Sequence, residues 1–223
     1  MIIPAFNEQE SIGLVLEHIP SNLITEILVV DNGSTDHTGR VALERGARVL
    51  REDRRGYGQA CLTGISGVDR PDIVVFLDGD FSDHPEEMSE IIKPIVEDHA
   101  DMVIGSRTLG SREPGALLPQ ARFGNWLATR LIRLLFGVTF TDLGPFRAIT
   151  YPALLKLDMK DRTFGWTVEM QVKAALQGLR SQEVPVSYRR RIGVSKITGT
   201  INGTIKAGWK ILYTIFRYRL SGG

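Results

Sequence analysis

The chain has 223 residues, 43% of them hydrophobic, with 27 Lys and Arg against 26 Asp and Glu. That is enough for a sizeable core, and the composition excludes disorder, collagen and a disulfide scaffold. One cysteine, Cys61, forms no internal disulfide and points to a reducing compartment.

Taken in order, the first half alternates between strand and helix patterns. Met1–Ile3 reads as the end of a first strand. Asn7 to Glu10 resembles a capping box ahead of Ile12, Val15, Leu16 and Ile19, which hold helical spacing. Glu26–Asp31 and Asp72–Asp78 are short β-branched runs ending on an acid, the pattern of buried strands. Ala47–Leu50 and Met102–Gly105 are weaker strand candidates. Helices are predicted over Thr38–Arg45, Tyr57–Gly67 and Pro85–Asp98, the last capped by Ser82 or Asp83. Gly105–Pro119 reads as a mobile loop, rich in Gly and Pro. Helices follow over Arg122–Phe136 and over Thr167–Gln177, which ends at Gly178. Phe146–Tyr151 and Glu183–Tyr188 read as strands, and Ile197–Leu220 as a final amphipathic helix. The order predicts one α/β domain with a mostly parallel, Rossmann-like sheet covered by helices on both faces. No apolar run reaches the roughly 18 residues of a membrane span, and no leader pattern follows Met1.

The near-zero charge conceals an asymmetry. Residues 1–110 carry 9 Lys and Arg against 20 Asp and Glu, a net −11; residues 111–223 carry 18 against 6, a net +12. The halves are therefore expected to meet different partners. Uneven solvated helix faces are the plain alternative. The basic residues of the second half sit among long apolar stretches with Trp126, Trp209, Tyr213 and Tyr218, which suits a bilayer interface better than a nucleic acid. Packing of both helices against the sheet explains the same pattern without a membrane.

Ligands of open α/β sheets bind beyond the carboxyl ends of the strands. Three such ends carry polar motifs: Pro4-Ala-Phe-Asn-Glu8, Asp31-Asn-Gly-Ser-Thr-Asp36 and Asp78-Gly-Asp80. Asp78 and Asp80 repel each other unless a cation lies between them, and a hard divalent ion with a diphosphate supplies that charge. An acidic turn reads the same way. Asp31 either accepts from a base or ribose or caps the next helix. The dinucleotide G-x-G-x-x-G, the P-loop, the G-x-S-x-G elbow and zinc-type His or Cys clusters are all missing from the sequence.

Together, I-P-A-F-N-E, V-V-D-N-G-S-T-D and F-L-D-G-D-F-S resemble the family-2 glycosyltransferases with a GT-A fold. Val103-Ile-Gly-Ser-Arg107, Asp142-Leu-Gly-Pro-Phe-Arg-Ala148, Phe164-Gly-Trp-Thr-Val-Glu169 and Gly193-Val-Ser-Lys196 extend the likeness to the dolichyl-phosphate mannose synthase, or polyprenyl-phosphate glycosyltransferase, branch. The resemblance implies an inverting transfer from a GDP- or UDP-linked sugar to polyprenyl phosphate on the cytoplasmic membrane face. It implies that Pro4, Ala5, Asn7 and Glu8 line the base and ribose, and that Asp31, with Gly33 beside it, holds the base. Asp78 and Asp80 would bind Mg²⁺ or Mn²⁺, and Arg107 and Arg147 the acceptor phosphate. Glu169 would lie near the donor sugar or ribose, while Arg189–Arg191 and Lys196 would neutralise the diphosphate on a closing loop. Two positions depart from the pattern: Asn32 replaces a second Asp, and Leu143-Gly-Pro-Phe-Arg147 lacks the usual hydroxyls. Asp142 is the candidate for orienting or deprotonating the acceptor, with a turn residue as the alternative. His84 is a candidate site residue that could equally serve the helix start at Pro85. Transfer to a glycan or lipid hydroxyl, which needs a general base, and nucleotide binding without transfer are the competing readings.

Overall fold

The fold is a computed structural model that describes residues 1–193 and 201–220. The described residues form seven strands: β1 Ile2–Ala5, β2 Leu28–Asp31, β3 Arg48–Arg51, β4 Ile73–Phe76, β5 Met102–Ser106, β6 Arg147–Thr150 and β7 Ser181–Pro185. They make one sheet in the order β3-β2-β1-β4-β6-β5-β7. Only β6 runs against its neighbours, β4 and β5; the other pairings are parallel. Strands from both halves of the chain therefore interleave in a single sheet.

Successive residues of a strand face opposite sides of the sheet, which divides the core in two. Ile2, Val30, Phe76, Ile104 and Ile149 pack on one side beneath α3 (Tyr57–Gly67), α5 (Pro119–Phe136), α6 (Tyr151–Leu157), α7 (Trp166–Leu176) and α8 (Ile201–Leu220). Ile3, Val29, Val75, Val103 and Ala148 pack on the other beneath α1 (Ile12–His18), α2 (Thr38–Glu44) and α4 (Met88–Val96). This two-sided burial explains why β2 and β4 read as continuous apolar runs.

Several local expectations are corrected. The capping box does not form: Asn7 takes a positive φ of 54°, and α1 starts at Ile12 without a side-chain cap. Asn7 instead crosses to the next loop, where its Oδ1 accepts from the Thr35 amide at 2.8 Å. Ser82 and Asp83 do not cap Pro85; His84 precedes that 3₁₀ turn, and α4 proper begins at Met88. Helix α6 was not predicted; Pro152 in its first turn is the signal that marks it. β7 ends at Pro185, three residues short of the expected strand end. The part of the expected last helix over 197–200 lies outside the described residues. Among the described residues no helix is long and apolar enough to cross a membrane.

Candidate active site

The sheet order reverses between β1 and β4, and a cleft of about 440 Å³ opens there beyond their carboxyl ends. Pro4, Ala5, Phe6 and Glu8 enter from the end of β1, and Asp78, Gly79 and Asp80 follow β4. Asn32 and the segment Arg55–Tyr57 form a side wall, Thr163 and Phe164 another, and Arg191 reaches in from above.

Asp78 is the least supported carboxylate of the cleft. Burial, and then the neighbouring charge of Asp80, push it up to about 7. Its Oδ1 accepts from the Tyr57 hydroxyl at 2.9 Å. Asp80 is fixed more firmly: Oδ1 accepts from the Ser82 amide at 3.0 Å and the Ser82 hydroxyl at 2.5 Å. The Arg191 guanidinium bridges Asp80 Oδ2 at 3.1 Å and Glu8 Oε1 at 2.8 Å. Arg191 is carried by a strap laid over the acidic turn, where the Arg189 amide donates to Ser82 O and the Ile192 amide to Asp80 O. Of the basic triplet, Arg191 alone lines this cleft. Arg190 turns to Glu113 and Pro114, and Arg189 lies 3.7 Å over the Phe81 ring.

Two carboxylates this close, one carrying a raised proton affinity, form a donor set short of positive charge. That fits a hard divalent cation, which commonly takes one or two protein carboxylates and completes its shell with substrate phosphate and water. Among the described residues no group of three acids, His or Cys is gathered for a metal. Asp78 and Asp80 would thus be the protein's share of such a site.

The structure moves several expected residues away from the cleft. Asp31 is buried, with Oδ1 accepting from Ser34 N at 2.7 Å and Oδ2 paired with Arg51 at 2.9 Å. It organises the loop after β2, in which Gly33 supplies a φ of 74°. Asn32 faces the cleft in its place. Its Nδ2 donates to the carbonyls of Glu52 and Arg54, and its Oδ1 accepts from Gly56 N at 2.8 Å. Asn7 lies in a smaller neighbouring hollow.

Arg107 and Asp142 form a closed pair, with Nε–Oδ2 at 2.7 Å and Nη2–Oδ1 at 2.8 Å. Asp142 is fully buried. Burial alone would raise its carboxyl, but the Arg107 charge and hydrogen bonds hold it below the usual range. A buried carboxylate locked in this way is a poor general base. Arg147 is also fully buried and donates to the carbonyls of Leu143, Gly144 and Thr167, so it is not presented to an acceptor. Burial lowers its guanidinium to about 10. Glu169 is fully buried and receives Lys160 N, Asp161 N, the Tyr218 hydroxyl and the Lys173 ammonium, an anchor rather than a donor contact. His84 pairs with Glu86 at 2.9 Å. Lys196 lies outside the described residues.

Sequence reasoning missed Tyr57 and Arg55, and it noted Phe164 only as the first residue of the Phe164–Glu169 motif. The signal for Tyr57 was its flanking glycines: a Cβ at Gly56 or Gly58 would strike the backbone carbonyl of Arg162 or Asp161, so α3 starts in direct contact with the wall that carries Thr163 and Phe164. Arg55 stacks 3.6 Å over the Phe6 ring at the rim.

The family model for glycosyl transferase family 2 matches residues 1–157. An uncharacterised glycosyltransferase of Mycobacterium bovis is 35% identical over 95% of this chain and 96% of its own. The undecaprenyl-phosphate mannosyltransferase of Micrococcus luteus is 33% identical, covering 91% of this chain and 88% of its own. Among solved structures, glucosyl-3-phosphoglycerate synthase from Mycobacterium tuberculosis, in complex with Mn²⁺, UDP-glucose and phosphoglyceric acid, aligns with a TM-score of 0.77 at 21% identity over 98% of this chain and 78% of that one. This likeness speaks to the fold. The chain belongs to glycosyl transferase family 2.

Proposed function

We propose that this protein is a metal-dependent, inverting glycosyltransferase that moves a sugar from a GDP- or UDP-linked donor to a polyprenyl phosphate at the cytoplasmic membrane face. The carrying observation is the cleft that brings Asp78, Asp80 and Arg191 together at the switch between β1 and β4. Attack of the acceptor phosphate oxygen on the anomeric carbon breaks the bond to the nucleoside diphosphate, whose charge then needs stabilisation. Arg191 is placed to supply part of it. A divalent cation held by Asp78 and Asp80 would supply the rest.

The acceptor class is supported by the closure of Asp142. A phosphate monoester is largely ionised near neutral pH, with a second pKa near 6, so it needs no strong base. A hydroxyl acceptor does need one, and the candidate, Asp142, is closed off by Arg107. The relatives named for undecaprenyl- and dolichyl-phosphate transfer support the same acceptor. Exposed Phe123, Trp126 and Leu134 on α5 and Ile205, Trp209 and Phe216 on α8 support a membrane-facing side.

The test is a screen of UDP- and GDP-hexoses with Mn²⁺ or Mg²⁺ and polyprenyl phosphate. One donor is expected to yield a lipid-linked sugar, and Asp80→Ala to lower that yield by at least a hundredfold. Release of nucleotide without any lipid-linked sugar, across all donors, would overturn the reading.

A further inference from the structure

The strap Tyr188–Ile192 rests its positive charge directly on the acidic turn. Ser82 takes Oδ1 of Asp80 twice, through its amide and its hydroxyl. The other oxygen, Oδ2, carries the Arg191 guanidinium at 3.1 Å, and the same guanidinium holds Glu8 Oε1 at 2.8 Å. Backbone bonds fix the strap above this contact: Arg189 N donates to Ser82 O at 2.9 Å and Ile192 N to Asp80 O at 3.0 Å. The Arg191 charge reaches Asp78 as well, where it opposes the upward push of burial and of Asp80. Arg191 thus supplies the acidic turn with a cation from within the chain.

A divalent cation on Asp78 and Asp80 would bring the same charge, and the two cannot serve Asp80 equally. A guanidinium and a metal ion on one carboxylate repel each other, and the repulsion is strong in a partly buried cleft. While Arg191 holds Asp80, a metal ion arriving alone has to displace it. A diphosphate reverses the sign of this coupling, because it offers oxygens to both cations, and a guanidinium pairs with phosphate as well as with carboxylate. The strap is also poised to let go. Tyr188, at its start, is bridged to Asp83, and both oxygens of the buried Asp83 lack a hydrogen-bond partner. So do the buried Nε atoms of Arg189 and Arg191. Unpaired buried groups carry a cost that the closed strap bears and a displaced strap recovers.

We propose that Arg191 is an internal competitor of the metal: it neutralises Asp80 and Glu8 before a ligand binds, weakens the binding of a free divalent cation, and passes to the diphosphate when nucleotide and metal arrive together. The acidic turn thereby takes metal and nucleotide as a unit rather than one after the other. This rests on the reading of Asp78 and Asp80 as metal ligands given above.

Mn²⁺ titration of the full chain, followed by the electron paramagnetic resonance of the free ion with and without UDP or GDP, tests it. In the wild-type protein the nucleotide is expected to tighten Mn²⁺ binding about tenfold or more. Arg191→Gln is expected to bind Mn²⁺ alone about fivefold more tightly, yet to bind nucleotide in excess Mn²⁺ about tenfold more weakly. An arginine with a merely structural role would weaken both. Arg191→Lys keeps the charge without the fork and is expected to fall between the two proteins. Arg190→Gln removes the same charge from the strap where it faces Glu113 and Pro114, and is expected to leave both affinities near wild type. Unchanged or weaker binding of Mn²⁺ alone in Arg191→Gln would overturn the proposal, as would an equal gain in Arg190→Gln. Failure of the underlying metal reading shows separately: wild-type protein that takes up no Mn²⁺ with either nucleotide, or an Asp80→Ala variant that takes it up undiminished.

Discussion

Asp78 is buried beside Asp80, and one tyrosine hydroxyl is the hydrogen bond it receives. Its folded carboxyl holds a proton up to about pH 7, whereas the unfolded chain releases it near 4. The folded state therefore binds the extra proton between those values. The associated stability is complete below about pH 4 and is lost as pH rises through about 7. Asp78→Asn is accordingly expected to raise the melting temperature of the metal-free protein at pH 8 by roughly 3 °C or more, and by much less at pH 5. Scanning calorimetry in a chelator checks this; an equal gain at both pH values would place the cost of Asp78 elsewhere than in its charge. The same substitution should abolish the melting shift that Mn²⁺ gives the wild-type protein. The acidic pair was legible in the sequence as a doublet at a strand end. What surrounds it was not. Tyr57 lies 21 residues upstream of Asp78 and Arg191 lies 183 residues from Glu8, and no local pattern reports such pairings. Asp31 and Asn32 show the converse limit: which of two adjacent side chains faces the cleft depends on the loop packed against them.

Among the elements, the contact between the start of α3 and the turn at Asp161–Phe164 governs the shape of the cleft. The Gln59 amide donates to Arg162 O at 2.9 Å, and glycines on either side of Tyr57 permit that approach. Lys210 of α8 pairs with Asp161 at 2.7 Å, and Tyr218 of α8 bonds Glu169, which holds the Asp161 amide. The last helix thus braces the wall that carries Thr163 and Phe164. Gly58→Ala forces a methyl group against the Asp161 carbonyl, and its expected cost is about 1–3 kcal/mol of stability with weaker donor binding. Gly124→Ala, on α5 where a Cβ meets open space, should be neutral or stabilise by up to ~1 kcal/mol. Urea unfolding and donor titration calorimetry on both variants separate a steric contact from a general intolerance of glycine replacement. Periodicity foretold most of these elements because burial on two faces leaves a strong apolar signal. It missed α6, a two-turn helix straight after β6, since so short a segment carries little periodic pattern. It also placed a capping box at Asn7–Glu10, where long-range bonds to residues 34–38 override the local pattern.

For the molecule as a whole, the sequence asymmetry of −11 and +12 becomes a spatial one only in part. Strands β6 and β7 carry second-half residues into the same sheet as the acidic half, and Arg191 crosses over to Glu8 and Asp80. Part of the remaining positive charge lies on α8, which packs against α5, and the two helices expose Trp126, Trp209, Phe216 and Leu220 beside Lys206, Arg217 and Arg219. Basic residues near an anionic leaflet contribute about 1 kcal/mol each, and that attraction is screened over a Debye length of about 10 Å at 0.1 M salt. The proposed donor contacts lie inside a partly closed cleft, where screening is weaker. Raising salt from about 0.05 to 0.5 M should therefore release the protein from phosphatidylglycerol vesicles, with at least a tenfold loss of binding in flotation. Nucleotide-sugar affinity measured by calorimetry should change less than a third as much on a logarithmic scale. Trp209→Ala tests the apolar share of the same surface, since Trp209 is 71% exposed and its loss leaves the core intact. If vesicle binding ignores both salt and Trp209→Ala, α5 and α8 are not the membrane-facing side, and their exposed rings belong to another contact.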